Sequence, residues 1–239
     1  MSNPIVHTAL LLAVAATAWG QAKDSAQAEK DPHRPVCTSA SCRKIKSFLK
    51  THYCGESPYG NGPEDGCLIS RPKKLGSGIK ITADFVCKWR TTEENCQQHG
   101  QPSPEVRSIL SREMRKLGLP AQEDKSTHFT VWESTSLGWS VAKADYGILA
   151  GTDLALCQVI VVIDRSSHVS VLRELPFQKT DADVPTVTTW SLIDLADVDG
   201  CGHIEAVLEG DSYEDHWLEV DKVQSGSAKT IFSGLGYYL

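Results

Sequence analysis

The sequence predicts an α+β protein, a disulfide-stapled helical N-terminal part followed by a mainly antiparallel β C-terminal part. Three observations predict it. Six of the eight cysteines fall between Cys37 and Cys96, and two amphipathic helical patterns precede residue 120. From His128 onward, short runs rich in Val, Ile, Thr and aromatics alternate with Gly, Asp, Ser and Pro.

Taken in order, residues 1–20 contain no Lys, Arg, Asp or Glu, and HTALLLAVAATAWG has the apolar centre and small-residue end of a secretory signal peptide cleaved before Gln21. Its apolar run is about ten residues, against the roughly 20 that span a bilayer, so the expectation is a secreted or periplasmic protein and not an integral membrane protein. Residues 21–36 are polar, charged and proline-containing, a flexible lead-in. Residues 37–239 are expected to form one α+β domain, with a sub-boundary near residue 122 as the alternative.

An even number of cysteines beyond the signal implies bridges in an exported chain. Cys54 with Cys67 closes the turn-rich loop from Gly55 to Gly66, and Cys157 and Cys201 are left to each other. With no CxxC spacing, a zinc ribbon is not expected.

SCRKIKSFLKTHYC places Ile45, Phe48, Leu49 and Tyr53 on one helical stripe. GIKITADFVCKWR alternates, with Ile79, Ile81, Ala83, Phe85, Cys87 and Trp89 on the face expected to be core. In PEVRSILSREMRKLG, Ser103 caps a helix, Pro104 suits its first turn, Val106, Ile109, Leu110 and Leu117 form the stripe, and Gly118 with Pro120 ends it. Eight strands then follow, beginning HFTVWE, GWSVAKAD, CQVIVVI, HVSVLREL, VTTWSLI, IEAVL, WLEVDKV and KTIF. CQVIVVI is the most apolar and is expected at a sheet centre.

The net charge of −6 conceals an asymmetry. Cys37 to Arg90 holds ten Lys or Arg against four Asp or Glu, whereas Asp181 to Asp221 holds twelve acids and no Lys or Arg. Such a run suits a solvated face or a bound cation, and its sign argues against nucleic acid as partner.

Within that run, DVDGCGHIEA has the look of a calcium loop. Counting from Asp197, alternate positions bring Asp199, Cys201, the His203 carbonyl and Glu205 around the glycine bend. Leu208 stands where an EF-hand needs its glutamate, and the flanks read as strands, so an EF-hand is rejected. LIDLADVDGCGHIEAVLEG followed by WLEVDKV, roughly Leu192 to Phe232, resembles a single FG-GAP or VCBS-type repeat of integrin-like propellers. That resemblance implies calcium on Asp197, Asp199, His203 by its carbonyl and Glu205. Cys201 departs from the pattern, since sulfur is a poor partner for a hard cation. A calcium site and a purely structural acidic turn therefore both stand.

Other chemistry is thinner. His203, Glu205 and His216 offer a metal-dependent hydrolase as the alternative function, without HExxH spacing. Cys54 beside His52 offers a thiol nucleophile, against which a disulfide is favoured. Trp132, Trp139, Trp190 and Trp217 with Tyr213, Tyr237 and Tyr238 offer either core or a binding face. The leading expectation is a non-catalytic binding module with a protein or glycan partner; an inhibitor presenting the Gly55–Gly66 loop is a third reading.

Overall fold

A computed structural model describes residues 40–55, 67–69, 79–87, 96–134, 138–150, 153–181, 187–212, 215–224 and 227–238. The signal peptide, the lead-in, Cys37 and residues 56–66 of the turn-rich loop lie outside the described residues, as do the side chains of Phe85, Cys87, Cys96, Tyr237 and Tyr238.

Two α-helices, one 3-10 helix (Ala121–Ser126) and twelve strands build the described chain: α1 (Ala40–Tyr53), β1 (Cys54–Gly55), β2 (Leu68–Ile69), β3 (Ile79–Cys87), β4 (Cys96–His99), α2 (Pro104–Lys116), β5 (Thr127–Ser134), β6 (Ser140–Ala150), β7 (Asp153–Ile163), β8 (Val169–Asp181), β9 (Thr189–Ala196), β10 (Glu205–Asp211), β11 (Asp215–Gln224) and β12 (Ser227–Tyr238). A six-stranded sheet runs β4-β3-β5-β6-β7-β8 and a four-stranded meander runs β12-β11-β10-β9. Their pairings are antiparallel throughout, as short consecutive strands with tight turns dictate. Among the described residues, no helix is long and apolar enough to cross a membrane.

Three apolar layers show how the elements stack. Ile109, Leu110 and Met114 of α2 pack on Phe129, Val131, Ala142, Ala144, Val159 and Val161 of the larger sheet. Ile45, Leu49 and Tyr53 of α1 pack on Val207, Leu218, Val220 and Phe232 of the smaller one. Between the sheets, Trp132, Val141, Ile160, Val162 and Leu172 meet Leu192, Leu195, Ala206 and Leu208. The order is helix, sheet, sheet, helix, and the alternation of β5, β6, β7 and β10 serves two of the three layers at once. Leu110, with none of its surface exposed, would cost about 2–5 kcal/mol if cut to alanine.

The local signals work as expected at α2, where the Ser103 hydroxyl accepts from the Val106 N–H at 3.2 Å and Pro104 opens the helix. Cys54 and Cys67 are bridged. CQVIVVI lies within the sheet, between β6 and β8, although it is next to the edge strand rather than at the centre. Two expectations are corrected. The single core face of β3 is broken by a register shift between Ile81 and Ala83, so Ile79 packs between the sheets, Ala83 packs under α2, and Ile81 is 40% exposed. Cys157 and Cys201 are both free thiols. Cys157 lies in the layer under α2, with Sγ 3.8 Å from Met114 Sδ, while Cys201 is exposed in a turn of the other sheet.

Candidate functional site

The acidic turn joins β9 to β10. It needs left-handed backbone at two positions, and the sequence supplies Gly200 (φ 72°) and Gly202 (φ 83°). An added Cβ would meet nothing within 4 Å at either, so backbone conformation and not space selects glycine there.

Hydrogen bonds curl the turn around its own carboxylates. Asp199 Oδ1 accepts from the Cys201 N–H at 2.9 Å, and Asp197 Oδ2 accepts from the Gly202 N–H at 3.0 Å. Glu205 is fully buried, and its Oε2 accepts from the Val198 N–H at 2.9 Å, between the two aspartates. Its other oxygen, Oε1, and Asp197 Oδ1 are buried with no hydrogen-bond partner among the described residues. An uncompensated buried carboxylate oxygen is costly, so both atoms require something positive or protic nearby. Donor atoms of Asp197, Asp199 and Cys201 all lie within 4.8 Å of one another, a group able to hold a metal ion.

Electrostatics follow the geometry. Burial pushes the Glu205 carboxyl above the usual range and repulsion from Asp199 and Asp197 adds to this, opposed by the Val198 N–H and Lys222. Asp199 is held below its ordinary value, chiefly by a hydrogen bond from the Cys201 thiol. Lys222 lies across the strand pair from Glu205, and its Nζ is 3.7 Å from Cys201 Sγ.

Other predicted site residues are placed elsewhere. His203 is exposed at the turn. His216 sits opposite Asp211, whereas Glu205 sits opposite Lys222, so six residues of strand, about 20 Å, separate His216 from Glu205. The constellation His203, Glu205 and His216 is therefore not assembled. Asp194 and Asp211, in the flanking strands β9 and β10, are engaged away from the turn. Tyr53 donates to Asp194 Oδ2 at 2.9 Å, and Asp211 stands by His216, with Oδ1 3.5 Å from Nε2. Cys54 is a bridged sulfur and His52 Nδ1 engages the Phe48 carbonyl at 2.8 Å, which removes the nucleophile reading. Trp132 and Trp217 are buried, and Trp190 meets Trp217 edge-on at 5.4 Å, so these three indoles are packing and not an exposed platform. Tyr213 lies outside the described residues.

Two features escaped sequence reasoning. Arg173 of β8 reaches across the sandwich and donates bidentately to Asp221, Nη1 to Oδ2 at 2.6 Å and Nη2 to Oδ1 at 3.0 Å. It also donates to Glu219 and stacks 4.6 Å above the Trp190 ring. Part of the acidic run is thus neutralised by a residue some fifty positions upstream. The second feature is a cleft of about 740 Å³ lined by Asp84, His128, Thr130, Lys143, Asp145 and Gln158 together with Trp132, Tyr146, Ile148, Leu156, Leu175 and Leu192. Lys143 Nζ lies 3.0 Å from Asp145 Oδ2, and Gln158 Nε2 donates to Asp145 Oδ1 at 2.7 Å. Strand alternation places polar residues on this face, but no sequence signal shows that they line a cleft.

No protein-family model, curated protein or solved structure matches this chain.

Proposed function

We propose that the chain is a non-catalytic binding module of a secreted or periplasmic protein, in which a divalent cation held by the Asp197–Glu205 turn stiffens the β9–β10 connection. The observation that carries this reading is the fully buried Glu205 carboxylate, whose Oε1 lacks a partner beside the equally orphaned Asp197 Oδ1. Buried carboxylate oxygens are ordinarily satisfied by an N–H group, a water or a cation, and no N–H reaches these two among the described residues. The FG-GAP or VCBS-type resemblance belongs to the same proposal, supported by the turn's place between the first two strands of a four-stranded meander. That resemblance names calcium as the cation and the carbonyl of His203 as a further ligand.

The cleft is the ligand-facing surface of the module. Its size falls within the range of small-molecule sites, and carboxylate, amide, hydroxyl and imidazole groups converge in it beside Trp132 and Tyr146, a mixed lining suited to a glycan or to a peptide segment. Thermal melting with calcium, with zinc and with chelator tests the cation. The expected result is a rise in Tm with added divalent cation that D197N and E205Q each abolish. Melting curves that no cation moves would overturn the reading.

A further inference from the structure

Cys201 occupies the position of the turn where a third carboxylate would complete an all-oxygen shell. Its sulfur belongs to the same donor cluster as the carboxylates of Asp197 and Asp199. Beneath that cluster lies Glu205, anchored through Oε2 on Val198 with Oε1 still unpartnered. This second observation lies outside the exposed loop, because Glu205 has no exposed surface at all. The ammonium of Lys222, whose Nζ lies 3.7 Å from Cys201 Sγ, is the positive charge that Asp199 and Glu205 share.

Donor chemistry decides which cation suits such a group. Calcium requires six to eight oxygens, and a sulfur in the shell takes up one ligand position while offering a hard ion little. Zinc and its neighbours are satisfied by four donors in a tetrahedron and accept thiolate together with carboxylate. Asp197, Asp199 and Cys201 supply three, which leaves the fourth position for a water. We infer that the Asp197–Glu205 turn is a site for a thiophilic divalent cation of the zinc class, with Cys201 as a direct ligand. As the metal–sulfur bond forms, the Cys201 thiol proton passes to solvent, no electron is transferred, and Lys222 gives up its contact with the sulfur. This inference rests on the proposal that the turn binds a cation, and adds which cation and through which atom.

The experiment titrates the full chain, stripped with chelator, with zinc, calcium and cobalt separately, for the wild type, C201S and D197N. Cobalt is the spectroscopic probe, because a cobalt–thiolate bond produces a near-ultraviolet charge-transfer band that carboxylates do not. Zinc is expected to bind at least about tenfold tighter than calcium, and C201S to lose the cobalt band together with that preference. Cys201 is exposed, so C201S is expected to leave folding intact, and an unchanged circular dichroism spectrum checks this. A cobalt band that persists in C201S would overturn the inference. Equal zinc and calcium affinities, unaffected by C201S but lost in D197N, would overturn it while leaving the cation-binding turn standing. Absence of binding by all three metals would remove both.

Discussion

Replacing Arg173 with methionine tests how the two sheets are held together. The substitution keeps most of the side chain's reach and removes the guanidinium. Asp221, which has no exposed surface, would keep only the Thr230 hydroxyl at 2.8 Å. Glu219 would keep the Trp217 indole N–H at 3.2 Å and the Ser233 hydroxyl at 3.0 Å. Removing one partner of a buried ion pair strands the other charge and costs about 3–5 kcal/mol. For a protein of this size that corresponds to a fall in Tm of about 6–20 °C. Urea denaturation followed by circular dichroism gives the free energy, and a thermal scan gives the Tm. The triple variant R173M/E219Q/D221N removes both carboxylate charges as well, and is expected to recover more than half of the loss. A single variant that loses less than about 1 kcal/mol, or a triple variant less stable than R173M, would refute the reasoning, because either result means that the carboxylates are not desolvated by the sandwich.

Further outcomes follow from other parts of the structure. Burial pushes the Cys157 thiol up to about 11 against a smaller opposing contribution from the Gln158 backbone, so an aromatic disulfide reagent at neutral pH is expected to label Cys201 first and Cys157 only on unfolding; equal rates in the native protein would contradict the placement of Cys157 under α2. A Cβ at Gly236 would stand 1.8 Å from the His216 carbonyl oxygen, and G236A should cost about 2–3 kcal/mol in urea denaturation, whereas a neutral result would mean that β11 and β12 do not approach so closely. Burial alone would raise the Glu113 carboxyl, but hydrogen bonds and charge from Lys116 and Arg112 outweigh it and hold Glu113 below its ordinary value of 4.5. A depressed carboxylate stabilises the fold above its unfolded value and loses that contribution as pH falls through the folded one. E113Q should therefore show a shallower loss of stability below about pH 4.5 than wild type, and parallel curves would exclude the linkage.

The legible parts of the sequence were those governed by neighbours in the chain. Ser103, Pro104 and the spacing of Ile109 and Leu110 specify α2 almost unaided, and each of the eight C-terminal strands forms where alternating apolar residues meet turn formers. The glycines and aspartates of the turn at Asp197 were visible for the same reason. What sequence reasoning missed depends on partners brought together by the sheets. The face of β3 reverses between Ile81 and Ala83 because a bulge lengthens one strand against its neighbour, which no periodicity in β3 records. Elimination in the sequence pairs Cys157 with Cys201, although one lies beneath a helix and the other at the tip of a hairpin. Closeness in sequence groups His203 with His216, although antiparallel pairing carries them apart. The neutralisation of Glu219 and Asp221 by Arg173 is a contact across some fifty residues, beyond the reach of any local charge count.

The Arg173 clamp also constrains the order of assembly. The carboxylates of β11 cannot leave water until β8 has delivered a guanidinium to them, and the hydrophobic inner face of the meander is dehydrated in the same event. The meander is therefore not expected to mature as an autonomous subunit while the rest of the chain awaits its turn. A fragment starting at residue 187 should remain without cooperative melting even though it contains all four strands of its sheet. A sharp transition in that fragment would show that the two halves of the sandwich can be completed separately.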